Sequence, residues 1–219
     1  MKAVQKDKKL EMCNVTRDRI LETAVGLFST KGYLGASTRE IARQAGVAEV
    51  TLFRHFTSKE KLLEEVLSRF SILPSLRNFI PQALEMPYEE ALTALATMLL
   101  DTLIQLKDWV RIIHAELQRS PEKLQKIYHT FLDELFETFS SYFRELQKRG
   151  IVGSFDPEVA ARAFHGIIFC YFNVEEVLQR KQYKPTESKA MIRQFMALFA
   201  QGTLGAGGGL SLAHGIHEV

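Results

Sequence analysis

Apolar positions recur every three to four residues through most of the chain, and nowhere do they alternate for long in the period of two that a half-buried strand requires. Thr16 has the chemistry of an N-cap. From it, Ile20, Ala24, Leu27 and Phe28 mark one face of a helix that runs to about Lys31 and ends at Gly32. Tyr33 and Leu34 lead into a second start. There Ser37-x-x-Glu40 forms a capping box, Ile41 and Ala45 lie four apart on one side, and Ala42 is small where two helices cross. Gly46 is placed to take the left-handed conformation that stops this helix, and Val47 turns inward. Leu52 and Phe56 then anchor a third helix, with Glu49, Val50, Thr51, Phe53, Arg54 and His55 on its outward face. A short hairpin cannot bury its own apolar side, so the first helix should pack across both to form a three-helix unit.

Beyond it, Ser58 caps a helix striped by Leu62, Leu63, Val66, Leu67 and Phe70. Pro74 and Pro81 disturb the chain, and Pro87 opens a helix to about Lys107. A shorter helix follows through Trp109–Gln118, and a long one runs from Pro121 to about Arg149 and ends at Gly150. Asp156-Pro157 caps another to about Gln179, and a last helix spans about Thr186–Leu204. The spacing therefore predicts an all-α protein of about nine helices. Residues 1–15 read as a disordered basic tail, 16–61 as a helix-turn-helix unit, 62–204 as a larger helical body and 205–219 as a flexible glycine-rich tail.

Composition agrees with a folded, water-soluble chain: 219 residues, 46% hydrophobic and 25% charged. The net charge of +2 conceals an asymmetry, because residues 1–61 carry +5 and the remainder −3. A small basic unit on a mildly acidic body suits a nucleic-acid module attached to something else. Cys13 and Cys170 match no metal spacing and read as free thiols in a reducing compartment. The N-terminal stretch has no apolar core of a signal peptide, and no run is long enough to span a bilayer. A cytoplasmic location without membrane association is expected. His214 and His217 in the glycine-rich tail read as solvated, with no metal and no cofactor implied. His114 and Glu116 do not share a helical face, and no nucleophile–base set or phosphate loop is visible, so no catalysis is expected.

Twelve of the 15 phenylalanines follow residue 61. Phe131, Leu135, Phe139 and Phe143 recur along one helix, and Phe164, Ile168 and Phe172 along another. Such stripes fill a core or enclose an apolar cavity between helices. For a cavity the candidates are Trp109, His114, Glu116, Phe131, Phe139, Phe143, His165 and Phe169. The last two long helices are apolar nearly all round and must be buried inside the domain or against a partner. A two-fold dimer through a four-helix bundle does both, with Phe164, Ile168, Phe172, Phe195, Leu198 and Phe199 as candidate interface residues.

Over Thr16–Val66 the chain resembles the TetR/AcrR family of transcriptional regulators. The resemblance rests on I-L-x-x-A-x-x-L-F-x-x-x-G-Y, on T-x-x-x-I-A-x-x-A-G-V and on T-L-F-R-H-F-x-S-K-E-x-L-L. It implies a DNA-binding head, an effector-binding body and dimerisation through the last two helices. Carried onto this sequence, Thr38 and Arg39 open the positioning helix. Glu49, Val50, Thr51, Phe53, Arg54 and His55 belong to the recognition helix, and Lys59 matches a phosphate-contacting lysine. Phe53 stands where the family usually has tyrosine, which removes one phosphate hydrogen bond.

Side-chain chemistry divides the roles. Arg54 suits bidentate contact with guanine, and Thr51 and Val50 suit a thymine methyl. Arg39, Lys59 and the Ser58 amide suit phosphates. Glu49 either reads a cytosine amine or repels phosphate. The expected function is a homodimeric repressor of a double-stranded DNA operator, released by a small apolar or aromatic effector. The alternative is an architectural or adaptor DNA-binding protein without an effector.

Overall fold

The first fifteen residues hold neither proline nor glycine, and good helix formers dominate them. In the computed structural model, which describes residues 2–117 and 122–205 with side chains from Cys13 onward, residues 2–15 are helical. Helix α1 spans Lys2–Gly35, so the expected tail continues the helix and Thr16 lies inside it. The glycine-rich tail with His214 and His217, and the start at Pro121, lie outside the described residues.

The head adds α2 (Thr38–Gln44), α3 (Glu49–His55) and α4 (Lys59–Phe70). The Ser37 hydroxyl accepts the N–H of Glu40 at 3.2 Å, as an N-cap should. The reciprocal half of the box is replaced, because the Glu40 carboxylate accepts Lys31 Nζ at 2.6 Å. Gly46 adopts φ +65°, and the N–H of Val47 closes back on the Ala42 carbonyl at 3.0 Å. Ile20, Leu21, Phe28, Ile41 and Leu52 are fully buried, and Leu62, Leu63 and Val66 of α4 join them. Burial of each such α4 side chain contributes about 2 kcal/mol. Arg17 pairs with Glu65 at 2.6 Å and Arg69 pairs with Asp18, so α4 is also tied to α1 by charge. Exposed pairs contribute at most about 1 kcal/mol, so the apolar seam holds α4 and the ion pairs set its register.

The body comprises α5 (Leu73–Ala83), α6 (Tyr88–Gln105), α7 (Lys107–Leu117), α8 (Glu122–Lys148), α9 (Pro157–Phe172) and α10 (Ser188–Thr203). Helix α5 forms where the two prolines were expected only to disturb the chain. Pro74 sits in its first turn, where an N–H has no helical partner anyway, and Leu73, Leu76 and Ala83 face the core. Leu92, Leu95 and Leu99 pack with Phe139, Phe143, Phe164, Phe172 and Met196. The rings of Phe139 and Phe164 lie 5.0 Å apart, and Phe199 closes on Phe143 and Phe164 at 5.8 Å each.

Helix α9 stops earlier than its pattern predicts and passes into a π-helical turn, Asn173–Val177. There Glu175 and Glu176 are buried, and they accept Arg180 at 3.0 Å and Lys181 at 2.6 Å. Among the described residues no helix is long and apolar enough to cross a membrane. The apolar interior divides in two. The head core extends into the body through Trp109, Ile113, Leu124 and Ile127, while the second core lies between α5, α6, α8, α9 and α10. Phe131 packs against both.

Candidate nucleic-acid interface and ligand cavity

Of the face predicted on α3, Val50, Phe53 and Arg54 are exposed, whereas Glu49, Thr51 and His55 are half-buried. Leu52 is fully buried, whereas Val50 is 76% and Phe53 42% exposed, with Arg54 exposed beside them. The Thr38 hydroxyl donates to Glu49 Oε1 at 2.7 Å, joining the first residue of α2 to the first of α3. Glu49 is therefore a held carboxylate, and Thr38 positions it. Arg39 and Arg54 form no ion pair among the described residues, which leaves both guanidinium groups available on the outer surface. His55 Nδ1 lies 3.9 Å from Cys13 Sγ. Burial, and then the positive charges of Arg54 and Arg17, hold its imidazole below the ordinary range. The Lys59 ammonium sits 4.3 Å from the centre of the Tyr33 ring. Burial lowers its pKa, against the opposing effect of Glu116 and Glu60.

Tyr33 belongs to a junction with the body. Gly32 breaks α1 at φ +76°, and the two N–H groups that follow point at α7. Glu116 Oε2 accepts the N–H of Tyr33 at 2.9 Å, and Oε1 that of Leu34 at 3.0 Å. A Cβ on residue 32 would collide with the Glu116 carboxylate. Glycine is thus required twice, for the left-handed backbone and for room for the carboxylate. Burial, with Glu60 and Glu116 nearby, pushes the Tyr33 hydroxyl up to about 12.

One turn back along α7, a cavity of about 80 Å³ opens between the two cores. Leu67, Trp109 and Ile113 line it from the head core, and Ile72, Leu99 and Leu135 from the body core. Its wall holds no Lys, Arg, Asp or Glu. His165 stacks on Phe169 with ring centroids 5.5 Å apart, and burial pushes its imidazole down to about 4. Tyr128 also lines the cavity, and its hydroxyl pairs with His114 Nε2 at 3.0 Å. The Trp109 indole N–H is buried and has no hydrogen-bond partner among the described residues. A larger groove of about 820 Å³ runs along α4 and α8, but it is a charged surface furrow walled by Glu60, Lys61, Glu64, Glu65, Lys123 and Lys126.

Residues 20–66 match the family of bacterial regulatory proteins named tetR, and residues 90–201 match the C-terminal domain of AefR-like transcriptional repressors. The HTH-type transcriptional regulator YvkB of Bacillus subtilis is 30% identical over 190 residues, 85% of this chain and 96% of YvkB. The chain belongs to the TetR family of transcriptional regulators. It is accordingly a regulator and not an enzyme. Two solved structures share its fold. FadR of Bacillus subtilis, in complex with stearoyl-CoA, aligns with a TM-score of 0.63 at 20% identity, covering 84% of this chain and 97% of FadR. NalD, the secondary repressor of the MexAB-OprM efflux pump in Pseudomonas aeruginosa, aligns with a TM-score of 0.62 at 24% identity, covering 89% and 98%.

In this TetR-family chain the expected pocket residues separate. Trp109, Phe131, His165 and Phe169 line the cavity, and His114 backs it, 5.4 Å from Phe169 between ring centroids. Glu116 does not belong to the cavity: it lies a turn further along α7 and faces the head. Phe139 and Phe143 are likewise corrected, because both are fully buried in the body core beyond the cavity.

The expected interface also needs revision. Phe164, Ile168 and Phe172 are fully buried within their own chain and cannot meet a partner. A helix that is apolar all round has two faces to dispose of, and the bulky one turned inward. The outer face of α9 carries Val159, Ala163, Gly166 and Cys170, all exposed. On α10, Leu198 is 67% exposed, while Phe195 and Phe199 are partly covered. Side-chain size along α9, large on one face and small on the other, was the signal that separates them.

Proposed function

We propose that this protein is an operator-binding repressor that releases DNA when a small apolar molecule enters the cavity between its two cores. The observation that carries the reading is the double duty of α7. It walls the cavity with Trp109, Val110 and Ile113, and one turn on it grips the head through Glu116. Effector sites usually measure roughly 300–1,000 Å³, so an occupant must widen the seam. A ligand that binds only the widened form shifts the population towards it and moves α7 relative to the Gly32 turn.

Two copies joined through the outer faces of α9 and α10 present two α3 helices to half-sites about 34 Å apart. Arg54 reads a guanine and Val50 and Thr51 a thymine methyl, while Arg39 and Lys59 bind phosphates. The protein works in the cytoplasm, where its DNA is. The stearoyl-CoA held by FadR and the repressor role of NalD support this reading by analogy of fold.

The test begins with duplexes selected from a random pool by the purified protein. Enrichment of a two-fold symmetric site, bound by a dimer and released by an apolar compound, is the expected result. Binding without sequence preference would favour an architectural role, and failure of every compound in a diverse apolar set to release the site would remove the effector.

A further inference from the structure

The polarity of the cavity wall restricts what it accepts. We propose that the ligand is uncharged and carries a hydrogen-bond acceptor, met by the indole N–H of Trp109. This rests on the effector reading above and adds to it the chemical class of the occupant: an apolar ring or chain bearing a ketone, ester, amide or quinone oxygen.

Three observations carry it. Trp109 is 3% exposed, lines the cavity, and its N–H lacks a partner among the described residues. Buried N–H groups are nearly always paired, so this donor is completed by an acceptor from outside the chain. Second, the wall presents no cation to a carboxylate or phosphate. Burial without a partner costs such an anion far more than it costs a neutral carbonyl. Third, the imidazoles offer no hidden positive charge. His165 stays neutral down to about pH 4 because it is enclosed by Phe136 and Phe169, and burial lowers His114 as well. The stacked His165–Phe169 pair gives a flat apolar surface to the same space.

The chain has a single tryptophan, so tryptophan fluorescence reports this cavity alone. Three benzene derivatives of similar size isolate the chemistry: methyl benzoate, neutral with an acceptor; ethylbenzene, neutral without one; and benzoate, an anion. Each is titrated by calorimetry into the full-length protein and into Trp109→Phe, and by tryptophan fluorescence into the full-length protein. Methyl benzoate should bind, shift Trp109 emission to the red, and lose roughly fivefold in affinity on Trp109→Phe. Ethylbenzene should bind both proteins equally without the red shift, which also shows that the variant keeps its cavity. Benzoate should bind at least tenfold more weakly than the ester. Benzoate binding as tightly as the ester, or an ester indifferent to Trp109→Phe with no red shift in the native chain, overturns the proposal while the effector reading stands. Binding by none of the three overturns both.

Discussion

The Glu116 carboxylate on α7 lies 2.9 Å from the backbone N–H of Tyr33, and through this contact the wall of the cavity holds the DNA-reading head. Glu116→Ala leaves the N–H groups of Tyr33 and Leu34 without an acceptor at a partly buried turn. A loss of about 2 kcal/mol, or roughly 5 °C in Tm, is expected, together with weaker operator binding in the absence of ligand. Glu116→Gln retains one oxygen and should lose less than half as much. Gly32→Ala should be at least as damaging as Glu116→Ala, and the double variant should show less than the sum of the two, since both break one contact. Thermal melts followed by circular dichroism decide this.

Arg54 and Arg39 should fail differently. Arg54→Ala should cost about 1–3 kcal/mol on the selected operator and relax preference at one base pair. Arg39→Ala should weaken all sequences alike and reduce the slope of log affinity against log salt by about 1. Fluorescence anisotropy at several salt concentrations separates the two patterns.

Thr38 restrains Glu49, so Thr38→Val should free a carboxylate beside the DNA phosphates and weaken operator binding roughly fivefold, the size of one lost hydrogen bond to a charged group. Adding Glu49→Gln should restore most of the loss. Failure of that rescue would mean that Thr38 itself contacts DNA.

His165 sets a pH dependence. Its imidazole titrates near 4 in the folded chain and near 6.5 when unfolded, so both states are neutral above pH 6.5. As pH falls through 6.5 towards 4 the unfolded state takes up the proton first, and stability drops. Between pH 7 and 5 the loss from this group is on the order of 2 kcal/mol. Urea unfolding should show a smaller loss for His165→Phe, with a remainder because burial lowers His114 in the same direction.

Leu198 tests the association proposed for α9 and α10. It is a large apolar side chain exposed on α10, and Leu198→Glu should convert dimers to monomers in sedimentation experiments without lowering the Tm of the monomer.

Local chemistry in the sequence already specifies much of this arrangement. Ser37, Gly46 and the pair Leu52 and Phe56 define the hairpin within a residue of its observed bounds, because caps and left-handed turns depend on neighbours along the chain. The half-formed box at Glu40 shows the limit: Lys31, nine residues away, outcompetes the Ser37 N–H. Contacts of long separation were not legible. Glu116 meets Tyr33 across 83 residues, and periodicity says nothing about that pairing. Periodicity likewise marks Phe139, Phe164 and Trp109 as inward-facing without telling a core from a cavity wall. The π turn at Glu175 and Glu176 escaped notice because their cations come five residues later, outside the helical spacing.

Helix α4 packs on the head core through Leu62, Leu63 and Val66, and the pairs Arg17–Glu65 and Arg69–Asp18 join its C-terminal half to two adjacent residues of α1, so the head and α4 form one lever. That lever ends at Ser71, where the backbone turns extended, and Ser71 and Ile72 belong to the cavity wall. The fulcrum therefore lies beside the cavity. The twelve residues of α4 make an arm of about 18 Å, so a tilt of about 10° displaces its far end by about 3 Å. In the two-fold pair proposed above, the two arms would swing in opposite senses and their displacements would add. An ångström-scale change at Ser71 is thus geared up to a mismatch of most of a base-pair step or more, enough to put two reading helices out of phase with their grooves.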